Sequence, residues 1–124
     1  MTVKGLFNEL EVSGPSDLLM KVSKMKEDGA RLMGIVADDL GDGKLVLKYV
    51  FDKDGKVTHL NWTVPMDQQI ETMSTIFPQG LVFEAEVMDM FGVSIKGVPK
   101  NFFMEPAVAE MAPLRRSPKK EGIP

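Results

Sequence analysis

Residues 44–64 read KLVLKYVFDKDGKVTHLNWTV. Leu45, Leu47, Tyr49 and Phe51 alternate with Val46, Lys48 and Val50, while Thr58, Leu60, Trp62 and Val64 alternate with His59, Asn61 and Thr63. A period of two places each set on one face of a strand. Between the two runs stands Asp52-Lys53-Asp54-Gly55, and an Asp-Gly step tolerates the left-handed backbone that a tight hairpin needs. Upstream, Arg31 to Ala37 is an apolar run with β-branched Ile35 and Val36. The polar, glycine-rich stretch Asp38-Asp39-Leu40-Gly41-Asp42-Gly43 joins that run to the hairpin. Three strands linked by short turns predict an antiparallel meander, whose apolar face must be covered by another element.

The spacing predicts that cover as a helix over residues 17–28. Leu18, Val22 and Met25 recur at i, i+4 and i+7 with lysines between them, Ser16 stands as the N-cap, and Asp17 lies near the positive end of the dipole. Gly29 supplies a left-handed stop. A short apolar piece, Val3 to Phe7, precedes Ser13-Gly14-Pro15. Beyond Val64-Pro65 the period returns to that of a helix: Ile70, Met73 and Phe77 share a stripe closed by Pro78. Phe83, Val87 and Met90 mark a second short helix ending at Gly92. The expected class is α+β, with an N-terminal helix on an antiparallel meander and two short helices, over residues 1–97. Prolines at 99, 106, 113, 118 and 124 then punctuate an extended tail, residues 98–124, that cannot build its own core and should lie on a partner.

Composition removes much chemistry. The 124 residues suffice for one domain, and 44% hydrophobic residues can fill its core. Without cysteine there are no disulfides, iron–sulfur ligands, thiolate zinc sites or cysteine nucleophiles. One histidine, His59, rules out multi-histidine metal sites, and on the outer face of its strand it reads as solvated. A net charge of −3 argues against nucleic acid, whose recognition would rest only on Arg115, Arg116, Lys119 and Lys120. No run approaches the roughly 20 apolar residues of a membrane span, and the N-terminus has no apolar signal region, so a cytoplasmic location is expected. Ten methionines are many for this length. Met25, Met33, Met73 and Met90 read as core filler, and Met104 and Met111 as adaptable contact surface.

Neither aspartate-rich turn fits a calcium loop. From Asp38, position 3 is Leu40 and position 12 is Tyr49; from Asp52, position 5 is Lys56. Gly41-Asp42-Gly43-Lys44 lacks a phosphate-cradling pattern. Glu84, Glu86 and Asp89 are three carboxylates within six residues. Helical spacing puts Glu86 and Asp89 on one face, so a freestanding enzyme with that acid–base pair is one alternative. The other is a structural or interface role, which short acidic runs more often have.

The run Phe83-Glu84-Ala85-Glu86-Val87-Met88-Asp89-Met90-Phe91-Gly92-Val93, followed by Gly97-Val98-Pro99, resembles the signature of the C subunit of respiratory complex I, the NADH:quinone oxidoreductase. Glu84, Glu86, Asp89, Met90, Phe91, Gly92, Gly97 and Pro99 match that signature. Pro113-Leu114-Arg115-Arg116-Ser117-Pro118 is similar to a second family element near the C-terminus. Ala85 and Val98 stand where the family has arginine and histidine, and Asn101-Phe102-Phe103 replaces a Leu-Arg-Arg. With the short chain, these departures resemble the small C-type subunit of membrane-bound energy-converting [NiFe] hydrogenases. The resemblance implies a subunit without a redox centre or cofactor, held at the inner face of the cell membrane only through its partners. Those partners would be a large [NiFe]-hydrogenase-like subunit and neighbouring iron–sulfur subunits. It further implies that Glu84, Glu86, Asp89, Phe91, Gly92, Pro99, Pro113, Leu114, Arg115 and Arg116 serve the partner interface, with membership of a true NADH:quinone oxidoreductase as the alternative.

Overall fold

The structure is a computed structural model that describes residues 7–98. Its elements run β1 (Phe7–Glu11), α1 (Pro15–Glu27), β2 (Arg31–Asp39), β3 (Lys44–Lys53), β4 (Lys56–Pro65) and α2 (Gly80–Phe91). The class is α+β. The expectations for the tail, including Pro99, Pro113, Leu114, Arg115, Arg116, Met104 and Met111, lie outside the described residues.

The hairpin of β3 and β4 is the centre of the sheet. Tyr49 pairs with Leu60, Leu47 with Trp62 and Leu45 with Val64, so the apolar faces of the two strands coincide. Asp54 and Gly55 both take positive φ, 54° and 85°, as a two-residue turn of the primed type requires. β2 pairs antiparallel with β3. A register shift between Leu32 and Gly34 changes the phase of β2, so that Leu32 and Ile35, three apart, both turn inward. The same shift leaves Met33, expected in the core, at the surface.

Two expectations about the sheet are corrected. The strand order is β1-β4-β3-β2, and β1 pairs parallel to β4. The sheet is therefore mixed, and a strand rather than a helix opens the fold. Asn8-Glu9-Leu10-Glu11 shows no apolar face, because an edge strand pairs through its backbone and needs little from its side chains. α1 also starts earlier than expected. Gly14 holds the cap position, Pro15 fills the first turn, and Ser16 caps nothing. No side chain caps the helix; Asp17 instead ties the preceding turn to it, its carboxylate accepting the Ser13 N–H at 2.9 Å and pairing with Lys21 at 2.7 Å.

The stripe Ile70, Met73 and Phe77 is buried but is not helical. Ile70 forms a parallel bridge with Ile95: its N–H donates to the Ser94 carbonyl at 2.8 Å, and its carbonyl accepts from the Lys96 N–H at 2.9 Å. Backbone groups spent on a distant segment are unavailable to a helix. Turns replace it around Met73, whose carbonyl accepts from the N–H groups of Ile76 and Phe77. Phe77 packs against Phe51 with ring centroids 5.3 Å apart, under the Lys26 ammonium 5.0 Å away. The Lys26 ammonium also donates to the Ile76 carbonyl at 2.9 Å, which ties α1 to this segment. One core joins Leu18 and Val22 of α1, the inner faces of β2 to β4, and the apolar residues of 66–98, with Val98 still inside it.

Candidate functional site

α2 carries the signature, and its composition is unusual for a surface helix. Between Gly80 and Phe91 the charged residues are Glu84, Glu86 and Asp89, and none is basic. α2 lies against β2 and ends at Gly92, whose φ of 72° is the expected left-handed stop. The Gly92 N–H donates to the Met88 carbonyl at 2.8 Å, closing the last turn.

The three carboxylates go to different places. Glu84 is 1% exposed and Asp89 2%, whereas Glu86 is at the surface. Glu86 and Asp89 therefore do not open onto a common surface, which corrects the shared face that their spacing suggested. A helix apolar on nearly every side is buried on more than one side. Of the remaining candidates, Phe91 is buried and Gly92 exposed. Val82, Phe83 and Met90 accompany Glu86 on the side of α2 that remains partly or wholly open.

Glu84 is held from within the chain. One carboxylate oxygen accepts the Thr72 hydroxyl at 2.6 Å, and the other accepts the Met73 N–H at 2.9 Å. Thr72 is itself fixed by Ser74, whose hydroxyl lies 2.8 Å away and whose N–H donates to Oγ1 of Thr72 at 3.0 Å. Burial pushes the Glu84 carboxyl above the usual carboxylate range. The two donors oppose that shift, and the charge of Glu71 adds to it. The phenol of Tyr49, on the neighbouring strand, is also pushed up, by burial first and then by the charge of Glu84. A second contact locks the same segment. A Cβ on Gly80 would lie 2.5 Å from Met73 Sδ, so this turn of α2 packs closely on the segment and a larger residue there must push the Met73 side chain aside. Together with the Ile70–Ile95 bridge, these contacts make a clasp that fixes the path of the chain on both sides of α2.

Sequence reasoning missed the other half of this clasp. Thr72, Ser74 and Gly80 carried no signal by themselves, and Met73 read only as core filler. The clue was a carboxylate inside an otherwise apolar helix, since a buried acid needs donors from elsewhere in the chain.

The geometry offers little to an acid–base reading. Among the described residues, no group of three or more His, Cys, Asp or Glu side chains could hold a metal ion. A cleft of about 420 Å³ lies at the far end of the sheet, between α1 and the β3–β4 turn, lined by Met25, Asp28, Phe51, Lys53 and Thr58 among others. None of the three signature acids contributes to it. His59 is half-buried rather than solvated, with Nδ1 3.6 Å from a Glu9 carboxylate oxygen. Among the described residues, no helix is long and apolar enough to cross a membrane.

Comparison with known proteins sets this geometry in a family. The chain is similar in fold to a chain in the structure of the membrane-bound sulfane sulfur reductase, an archaeal respiratory membrane complex. The TM-score is 0.74 at 22% identity, over 88% of this chain and 71% of that one. No curated protein sequence matches it. The family model of the respiratory-chain NADH dehydrogenase 30 Kd subunit matches residues 13–123, which is nearly the whole chain. The residues of the signature helix and the family match agree, and the chain belongs to the family of the 30 Kd subunit of respiratory-chain NADH dehydrogenase.

Proposed function

We propose that this chain is a non-catalytic docking subunit of a complex I-like respiratory membrane complex, where it holds and positions the large catalytic subunit. Family membership supports the subunit role. The observation that carries the docking role is the fate of the signature acids. Glu84 spends its carboxylate on Thr72 and Met73, so the signature builds a rigid helix rather than a reactive centre. Glu86, exposed beside Val82, Phe83 and Met90, is the acid left to meet a partner's basic side chain. In this reading Phe91 and Gly92 shape the end of the helix, and Asp89 serves from inside. Pro99, Pro113, Leu114, Arg115 and Arg116 continue the interface, the two arginines pairing with partner carboxylates. Neighbouring iron–sulfur subunits complete the assembly. The chain meets the membrane only through them, at its cytoplasmic face.

The experiment is a truncation after Val98, which keeps that core residue in place, in the host that makes the whole complex. It should abolish co-purification with the large subunit while the remaining domain stays folded. Unchanged assembly would refute docking through the tail. The family match favours a subunit of an NADH dehydrogenase, whereas the departures at Ala85 and Val98 favour a hydrogenase-type complex. Paired cysteine motifs at both ends of the co-purified large subunit would indicate nickel–iron ligation and decide for the second.

A further inference from the structure

The two edges of the sheet are built differently. β1 is a five-residue strand with Glu9 and Glu11 exposed, as short and charged as an edge that avoids other chains should be. β2 is the opposite edge and has nine residues. It contains no lysine and no proline, and its guards, the bulge at Leu32–Gly34 and the charges of Arg31 and Asp38, stand at its ends and leave Gly34 to Ala37 open. Its side chains are also unusually apolar at the surface. Met33 is 51% exposed, Val36 54%, and Leu40, just past the strand, 45%. Those three are half of the six large hydrophobic side chains exposed among the described residues. α2 lies against β2, yet no strand among the described residues pairs with its outer edge. Charge marks the two ends: Arg31 projects at the start, 3.2 Å from Asp52, and Asp38 is exposed near the finish.

We infer that β2 is a docking edge, and that its occupant is an extended segment of a neighbouring subunit that adds to the sheet as a fifth strand. Main-chain hydrogen bonds supply the pairing. The segment is apolar where it meets Val36, with Met33 flanking the paired stretch, and carries a basic side chain beside Asp38. The acidic end of the edge selects that basic residue, and the bulge at Leu32–Gly34 limits the paired stretch to Gly34 onward. The inference rests on the proposed subunit role but concerns a different surface from α2 and the tail.

Hydrogen exchange on the full-length chain, alone and within the purified complex, tests it. In an antiparallel edge strand about half of the amides face outward, and alone these should exchange freely. On assembly the outward amides of residues 34–39 should slow by at least about a hundredfold. The double variant Met33→Lys, Val36→Lys changes only exposed side chains, so the fold survives. The share of large subunit that retains this chain should drop at least about tenfold. A complex that forms while these amides exchange as fast as in the free chain overturns the docking edge and leaves the subunit role standing. Failure of the native chain to form any complex overturns both. Protection of β2 in the free chain, with concentration-dependent dimers, assigns the edge to a second copy and equally refutes the inference.

Discussion

Replacing Glu84 probes the clasp that sets the shape of the signature helix. In Glu84→Ala the Met73 N–H, buried in the core, loses its acceptor, which costs about 1–3 kcal/mol. Thr72 loses less, because Ser74 Oγ lies 2.8 Å away and can accept its proton. The missing carboxymethyl group leaves a void, and relief from burying a carboxylate offsets part of that loss. The net expectation is a destabilisation of about 2–4 kcal/mol, set against a total of about 5–15 kcal/mol for a domain. Glu84→Gln keeps the shape, with its carbonyl toward Met73 and its amide toward Thr72. It should fall within about 1 kcal/mol of the native chain.

Acidity gives this comparison a second axis. The folded-state pKa of Glu84 is raised, mainly by burial, so between its unfolded value and its folded value the native state holds more protons than the unfolded one. Stability from this group is therefore fully present below the unfolded pKa and is lost as pH rises through the folded one. The native chain should lose stability relative to Glu84→Gln as pH climbs from 4.5 upward. Urea titration followed by fluorescence of Trp62, the only tryptophan and a buried one, reads both effects. With a urea slope near 2 kcal/mol per molar, Glu84→Ala should shift the midpoint by about 1–2 M. An alanine variant within about 0.5 kcal/mol of the native chain would refute the clasp. So would a native-minus-glutamine difference that grows with pH.

Other perturbations follow from particular contacts. Gly80→Ala should cost about 1–3 kcal/mol because its Cβ would meet Met73 Sδ at 2.5 Å, and adding Met73→Ala should recover part of that loss in a double-mutant cycle by urea titration. Phe77→Ala removes the ring that packs on Phe51 and carries Lys26, and thermal unfolding should show a loss of about 3–5 kcal/mol. Gly92→Ala forces a side chain into a left-handed backbone and should cost about 1–2 kcal/mol by the same assay, without changing the solvent exposure of Glu86.

The strands that form the core hairpin were legible because their signal is local. Alternation in 45–51 and 58–64, together with Asp54-Gly55, fixes two strands, their turn and their inward faces without reference to anything else in the chain. Gly92 was legible for the same reason, since a left-handed stop is a property of one residue. β1 was not, because an edge strand pairs by its backbone and leaves no apolar pattern in Asn8-Glu9-Leu10-Glu11. The segment 70–77 misled because apolar residues spaced three and four apart are buried equally well by turns and a bridge to Ile95 as by a helix.

The candidate site divides in the same way. Composition and the signature residues were enough to set aside cysteine and multi-histidine chemistry and to point to the family. The chain alone could not say that Glu84 turns inward, that Glu86 stays at the surface or that Asp89 is buried. Helical spacing orders side chains around an axis but leaves open which side the rest of the protein covers. That side was decided by β2 lying beneath α2 and by Thr72 and Met73 arriving from twelve and eleven residues earlier to meet a carboxylate that could not be buried without them.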